Sequence, residues 1–176
     1  MRARRSVILG IGLAMSLVAR PAVAEPGNST TMSGTIAAQI IEPGAIERLD
    51  DLRFAAFASP TAAATMTITA DGVISATGQV ATTMNAFPSP AGRGPARFRI
   101  NGTPNRFFVP FHPRSVTISN GTSTMLVDQM ADNVTGRGRL DANGHFEYRI
   151  GGTLHVGANQ QPGRYRGDFQ ISVLFQ

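Results

Sequence analysis

The chain has 176 residues, no Cys and no Trp, and a formal charge of +5 from 16 basic and 11 acidic residues. The charge is concentrated at the start: Arg2, Arg4, Arg5 and Arg20 precede every acidic residue, so the chain from residue 25 onward carries 12 − 11 = +1. Near-neutrality removes the compositional case for a nucleic-acid partner. Without Cys there is no disulfide framework and no thiol chemistry. Gly, Thr, Val and Ile, with no Lys and few Glu, favour strands and turns over helices.

Arg2, Arg4 and Arg5 lead into the apolar run Val7 to Ala19 and then Ala22-Val23-Ala24, the layout of a secretory signal peptide over residues 1–24. The Arg4-Arg5 pair admits the twin-arginine route, with the general secretory route preferred. The apolar run is too short for a comfortable membrane span, and no later stretch reaches that length, so no transmembrane segment is expected after signal cleavage. Cutting after Ala24 leaves 176 − 24 = 152 residues, room for one domain. The expected location is exported: periplasm, cell surface or extracellular medium. Residues 25–34 read as a flexible leader and residues 35–176 as a single β-sandwich domain.

Within that domain Gly34 to Ile41 alternates Ile36, Ala38 and Ile40 on one side as a first strand, ended by Glu42-Pro43-Gly44. Ile46 to Phe57 mixes charges with Leu49, Leu52, Phe54 and Phe57 and reads as a short helical turn feeding a strand near Leu52 to Phe57. Thr65 to Ala70 alternates cleanly, Asp71-Gly72 is a hairpin signal, and Val73 to Val80 reads as the returning strand. Met84 to Pro95, with Pro88, Pro90 and Pro95, reads as a loop. Ala96 to Ile100 is a strand with Arg97 and Arg99 outward, Asn101-Gly102 turns, and Arg106 to Phe111 runs back. Asn120-Gly121 joins Ser115–Ser119 to Thr124–Met130, and Asp141 to Gly144 is a further turn. Phe146, Tyr148 and Ile150 then alternate with His145, Glu147 and Arg149. Gly151-Gly152 is expected to break the run at a bulge or bend before Leu154 and Val156. From Gly163 onward Tyr165, Gly167, Phe169, Ile171, Val173 and Phe175 alternate with polar residues, Leu174 being the one apolar exception, which predicts one long strand with a buried and a wet face. Nine to eleven short strands with frequent turns predict an all-β fold, an immunoglobulin-like antiparallel β-sandwich of pilin-like type; a closed barrel is the alternative.

Signatures of chemistry are sparse. His145 and Glu147 share a strand face, and His155 follows on what reads as a nearby strand, so a metal site is conceivable if the registers agree. The plainer reading, surface histidines beside turns, is preferred, and no cofactor, metal or catalytic residue is assigned. His112, between Pro110 and Pro113, reads as a loop residue. There is no Gly-x-Ser-x-Gly and no His-Glu-x-x-His. Asp50 and Asp51 are adjacent and so point to opposite faces of a strand. Gly92-Arg93-Gly94 lacks the strand-to-helix context of a phosphate loop. Arg97, Arg99, Arg106, Arg114, Arg137, Arg139, Arg149, Arg164 and Arg166 could make a patch for anionic glycans or lipids, against the plainer reading of solvated strand faces.

Several pieces fall in a familiar order: Ala63-Ala64-Thr65 through Asp71-Gly72; Pro95-Ala96-Arg97-Phe98 with Asn101-Gly102-Thr103-Pro104; Asn120-Gly121-Thr122; Leu140 to Gly144; Gly151-Gly152-Thr153-Leu154; and Gln161-Pro162-Gly163-Arg164-Tyr165. Together they resemble the bacterial secreted domain of unknown function 4402 family, from about Thr35 onward. That resemblance implies a fold and a compartment but no reaction. The last stretch is also similar to the terminal strand of chaperone–usher pilin subunits, which has a penultimate aromatic residue and a glycine fourteen from the end, here Phe175 and Gly163. This likeness implies an assembly strand made of Gly163, Tyr165, Phe169, Ile171, Val173 and Phe175. It would pair with like subunits or a periplasmic chaperone by β-strand addition. The cysteine pair that many such subunits carry is absent here, and the N-terminal segment lacks a long, clean alternating donor. The expected function is a secreted, non-enzymatic, pilin-like surface or assembly subunit. The alternative is a self-contained envelope or glycan-binding module using the Met84–Pro95 loop, with a metal-binding protein or enzyme ranked last.

Overall fold

Period-2 burial fixes the framework. The structure, a computed structural model, describes residues 45–87 and 91–176. The expected signal peptide, leader and first strand lie outside the described residues. In chain order the elements are β1 (Ile46–Asp50), β2 (Ala64–Ile68), β3 (Ile74–Ala76), α1 (Gly78–Thr83), a 3-10 turn (Met84–Ala86), β4 (Ala96–Asn101), β5 (Phe107–Phe111), β6 (Val116–Ser119), β7 (Thr124–Asp132), β8 (Gly138–Arg139), β9 (His145–Val156) and β10 (Ser172–Phe175). Pairing among the described residues is antiparallel throughout.

β9 is the trunk of the larger sheet. Its first half pairs with β4, from Asn101↔His145 to Ala96↔Ile150, and its second half with β2, from Ile68↔Gly152 to Ala64↔Val156. Ile150 also opposes Asp132, and Leu154 also opposes Val127, so β7 lies along the other edge. β1 extends the sheet beyond β4, β3 beyond β2, and β6 beyond β7. A second sheet has the order β10-β5-β8. Buried residues of both sheets form one core: Met66, Ile100, Tyr148, Ile150 and Leu154 from the larger sheet meet Phe108 of β5. Phe108 stacks edge-on against Phe146 of β9 at 5.1 Å between ring centroids. The fold is all-β and sandwich-like.

Four local expectations are corrected. Ile46–Asp50 is a strand rather than a helical turn, because its charges find cross-strand partners: Glu47 opposes Arg99 and pairs with it at 3.4 Å. Leu52 to Phe57 is irregular, with one β-bridge from Arg53 to Gly94. The strand expected over Val73 to Val80 stops at Ala76; Gly78, at φ 56°, turns the chain into α1, which buries Val80 completely. Asn101-Gly102 does not close a hairpin, since β4 belongs to the larger sheet and β5 to the smaller.

The Gly151-Gly152 break is the fourth. β9 runs through both glycines without interruption. A Cβ on Gly151 would lie 2.5 Å from the Thr69 carbonyl carbon and 2.7 Å from the Ala70 nitrogen, with the Ile68 carbonyl oxygen closer still. Glycine is there because the end of β2 presses on the β9 backbone. The bulge lies in the neighbouring strand, where the register shifts between Asp128 and Ala131 and Gln129 takes φ 49°.

Candidate assembly edge and groove

The long terminal strand predicted from Gly163 resolves into two short attachments and a gap. Arg166 and Ser119 exchange backbone hydrogen bonds of 2.8 and 2.9 Å, which joins the segment to the free side of β6. Regular pairing resumes at Ser172↔Phe111 and runs to Phe175↔Phe108, making β10 a strand of four residues rather than fourteen. Between these anchors, residues 112–118 face residues 167–171, seven against five. Two surplus residues and Pro113, which has no N–H to donate, prevent a continuous ladder. The chains part into an open groove of about 780 Å³, lined by residues from 111 to 117 on one side and 168–172 on the other. Next to it the two chains press close: a Cβ on Gly167 would stand 2.8 Å from the Thr117 carbonyl oxygen.

Side chains keep the predicted alternation even where the ladder does not. Tyr165, Phe169, Ile171, Val173 and Phe175 are half-buried against the core, while Arg164, Arg166, Asp168, Gln170, Ser172 and Leu174 are exposed. Tyr165 donates its hydroxyl to the Gln161 carbonyl at 2.7 Å and accepts from Gln160 Nε2 at 2.8 Å. Phe169 meets Phe98 edge-on at 6.2 Å, and Phe175 lies 6.3 Å from Phe108. Gly163 is exposed beside Asn120, apart from that row. Phe169 and Ile171 also line the groove, so two of the row serve both core and opening. Among the described residues β10 pairs with β5 alone, and its other edge is open. It carries no charge and no Pro, the usual devices that blunt an edge strand.

A half-buried polar network missed by the sequence reading stands beside the groove. His112 is no simple loop residue: its Nδ1 lies 2.9 Å from the Pro113 carbonyl oxygen and its Nε2 lies 3.3 Å from Asp132 Oδ2. The Tyr148 hydroxyl donates to the same carboxyl oxygen at 2.7 Å, and Val134 N–H donates to Oδ1 at 2.8 Å. Burial, and then the hydrogen bond to Asp132, push the Tyr148 phenol well above its ordinary range. Asp132 escaped detection because the Gln129 bulge inverts the parity of β7: Met125 and Val127 face inward before it, Met130 and Asp132 after it.

The other candidates separate. His145 and His155 lie ten residues apart on one strand, about 33 Å, so they cannot share an ion. His145 Nδ1 meets Asn101 Oδ1 at 2.8 Å and His155 Nε2 meets Asp128 Oδ1 at 2.8 Å. Glu147 receives two hydrogen bonds from Arg97, both 3.1 Å, and one from Arg149 at 2.7 Å. Those guanidiniums hold its carboxyl down to about 2. Asp50 pairs with Arg53 at 2.7 Å and Arg97 at 3.0 Å and is likewise held below its ordinary value, whereas Asp51 pairs with Arg48. Arg93 is a staple: its Nη2 donates to the carbonyls of Ala56 and Met84 at 2.7 and 2.6 Å. Among the described residues no three of His, Asp and Glu converge as metal ligands, and no helix is long and apolar enough to cross a membrane.

With this geometry in hand, one comparison decides the family. A family model described as "Domain of unknown function (DUF4402)" matches residues 45–175. The chain belongs to this family. The DUF4402 domain therefore spans β1 to β10 and includes the groove and the open edge. The alternating segment Gly34 to Ile41 falls before the match. No curated protein and no solved structure matches the chain.

Proposed function

We propose that this DUF4402 protein is an exported, non-enzymatic assembly subunit that takes up an extended segment of a second copy along β10 and into the adjoining groove. The observation carrying this reading is the interrupted ladder between residues 112–118 and 167–171, continuous with the edge of β10 that no described strand pairs with. An incoming strand would find backbone donors and acceptors along Ser172–Phe175 and apolar side chains, Phe169 and Ile171, at the groove. Gly34 to Ile41, outside the family match, presents Ile36, Ala38 and Ile40 at alternate positions, and eight extended residues reach about 26 Å. A periplasmic chaperone offering a similar strand is the other partner of the same chemistry.

The full mature chain tests this by size-exclusion chromatography over a concentration series, paired with hydrogen exchange. Concentration-dependent oligomers, with the Phe169–Phe175 amides slowing as they form, are expected. Ile36→Asp combined with Ile40→Asp should return the chain to monomer and make its melting temperature independent of concentration, with the far-ultraviolet circular dichroism spectrum unchanged. A monomer at all concentrations whose Phe169–Phe175 amides are already protected would sink the proposal.

A further inference from the structure

The smaller sheet has an outer face that the core does not use. On β5 the odd positions Phe107, Val109 and Phe111 point outward while Phe108 is buried. Register places Leu174 beside Val109 and Arg139 beside Phe107. Phe107, Phe111 and Leu174 are 37%, 53% and 57% exposed, so the strip is an apolar surface in contact with water.

One end of that strip is cationic. The Arg137 guanidinium lies over the Phe107 ring at 4.4 Å and that of Arg139 at 5.6 Å. Arg139 is oriented by hydrogen bonds to the Asn105 carbonyl at 3.2 Å and Asn105 Oδ1 at 3.0 Å. Stacking uses the flat face of a guanidinium and leaves its in-plane N–H donors free. Among the described residues neither arginine pairs with a carboxylate, and the Arg137 side chain makes no hydrogen bond. The ion-paired arginines are elsewhere: Arg97, Arg99 and Arg149 of the larger sheet meet Glu47 and Asp50 of β1 and Glu147 of β9, and Arg48 and Arg53 pair with Asp51 and Asp50.

We propose that this face docks on an anionic lipid surface, with Phe111, Val109 and Leu174 entering the interfacial layer and Arg137 and Arg139 meeting lipid phosphates. The chemistry of the face selects the partner. A polysaccharide would bring hydroxyls to a strip that offers aliphatic and phenyl groups and, within it, only Ser172 to match them. A second copy would bring two more arginines, and the two nearby acids are poorly placed to meet them: Asp168 lies four residues before Ser172, towards the far end from Arg139, and Asp141 has its carboxylate engaged by the Asn143 and His145 N–H groups, each at 2.8 Å. An apolar strip edged by unpaired cations fits an interface with acyl chains below and negative headgroups above. The face shares Phe111 and Ser172 with the mouth of the groove but not the β10 edge, and vesicle binding is read independently of strand uptake.

The test is co-sedimentation of the full mature chain with vesicles of phosphatidylcholine mixed with phosphatidylglycerol, against phosphatidylcholine alone. Binding to the anionic vesicles that weakens with added salt is expected. Arg137→Gln with Arg139→Gln should weaken it by about fivefold per arginine, and Leu174→Ser should weaken it further. Arg164→Gln with Arg166→Gln makes the same change in net charge away from the stacked ring and should leave binding intact. Unchanged melting temperatures confirm that the outward substitutions spare the fold. The proposal is overturned by no vesicle binding or by equal losses from both arginine pairs. Capture of soluble acidic polysaccharide through this face in preference to vesicles would also overturn it, as would self-association through it.

Discussion

Gly151 and Gly152 are neighbours with opposite surroundings, and that difference yields a sharp prediction. A methyl on Gly151 would meet the backbone at the end of β2, 2.5 Å from Thr69 C and 2.7 Å from Ala70 N. A methyl on Gly152 would meet side-chain carbons of Val127 at 3.1 Å and Met130 at 3.3 Å, and the Asp128 carbonyl at 3.4 Å. Backbone has no rotamer to move to, so Gly151→Ala must separate β2 from β9 or bend one of them. Crowding of this kind costs about 3 kcal/mol, at the upper end for overpacking. Alanine in a strand recovers about 1 kcal/mol of chain entropy, leaving a net loss of about 2 kcal/mol. For a domain of this size that is roughly an 8 °C fall in melting temperature. Gly152→Ala, which only needs Val127 and Met130 to give by a few tenths of an ångström, should stay within about 1 kcal/mol of the parent. Urea and thermal denaturation followed by far-ultraviolet circular dichroism measure both. If Gly151→Ala is no less stable than Gly152→Ala, the close approach of β2 is not what requires glycine there.

Two further outcomes follow from the charged and buried groups. Glu147, held at about 2 by Arg97 and then Arg149, is a carboxyl whose folded value is depressed from 4.5. Its stabilisation is therefore fully present above about pH 4.5 and is lost as pH falls through about 2. At full strength the shift corresponds to about 3 kcal/mol. With 36% of the side chain exposed, solvent screening reduces this to about 1 kcal/mol. Glu147→Gln should thus lose about 1 kcal/mol by urea titration at pH 7 and converge with the parent near pH 2; a gap of equal size at both values would refute the assignment. Tyr148→Phe removes the hydroxyl that donates to Asp132 and should lose about 1–2 kcal/mol. In the parent, alkaline absorbance titration should find Tyr148 un-ionised until the protein unfolds, and early ionisation would contradict its burial.

Much of the scaffold is legible because side-chain alternation and turn residues are local properties. β2, β4, the β6–β7 hairpin and both halves of β9 follow from period-2 runs bounded by Asp71-Gly72, Asn120-Gly121 and Asp141 to Gly144. What fails is whatever a second strand decides. The charged Ile46–Asp50 is a strand only because Arg97 and Arg99 stand opposite its acids. Val80 sits at a position that would be inward on a strand as well as on a helix, and the φ of Gly78 settles which. Asp132 is inward only because Gln129 has already shifted the count by one.

The terminal segment shows the same division within one run of residues. Alternation from Tyr165 to Phe175 specifies which side chains face the core, and Tyr165, Phe169, Ile171, Val173 and Phe175 all do so. It says nothing about which backbone lies alongside. That depends on the length of the facing chain: seven residues from His112 to Arg166's partner-side neighbour Ile118 must span what five residues span from Gly167 to Ile171. Were the two spans equal and Pro113 another residue, the ladder from Ser119 to Phe108 would close and β10 would be the long strand that its pattern predicts. The groove is thus a property of two stretches about fifty residues apart, and only Pro113 hints at it in the sequence. Shortening 112–118 by two residues with Pro113 removed should close the groove while keeping the Tyr165–Phe175 row on the core, and it should abolish strand uptake if that uptake uses the groove.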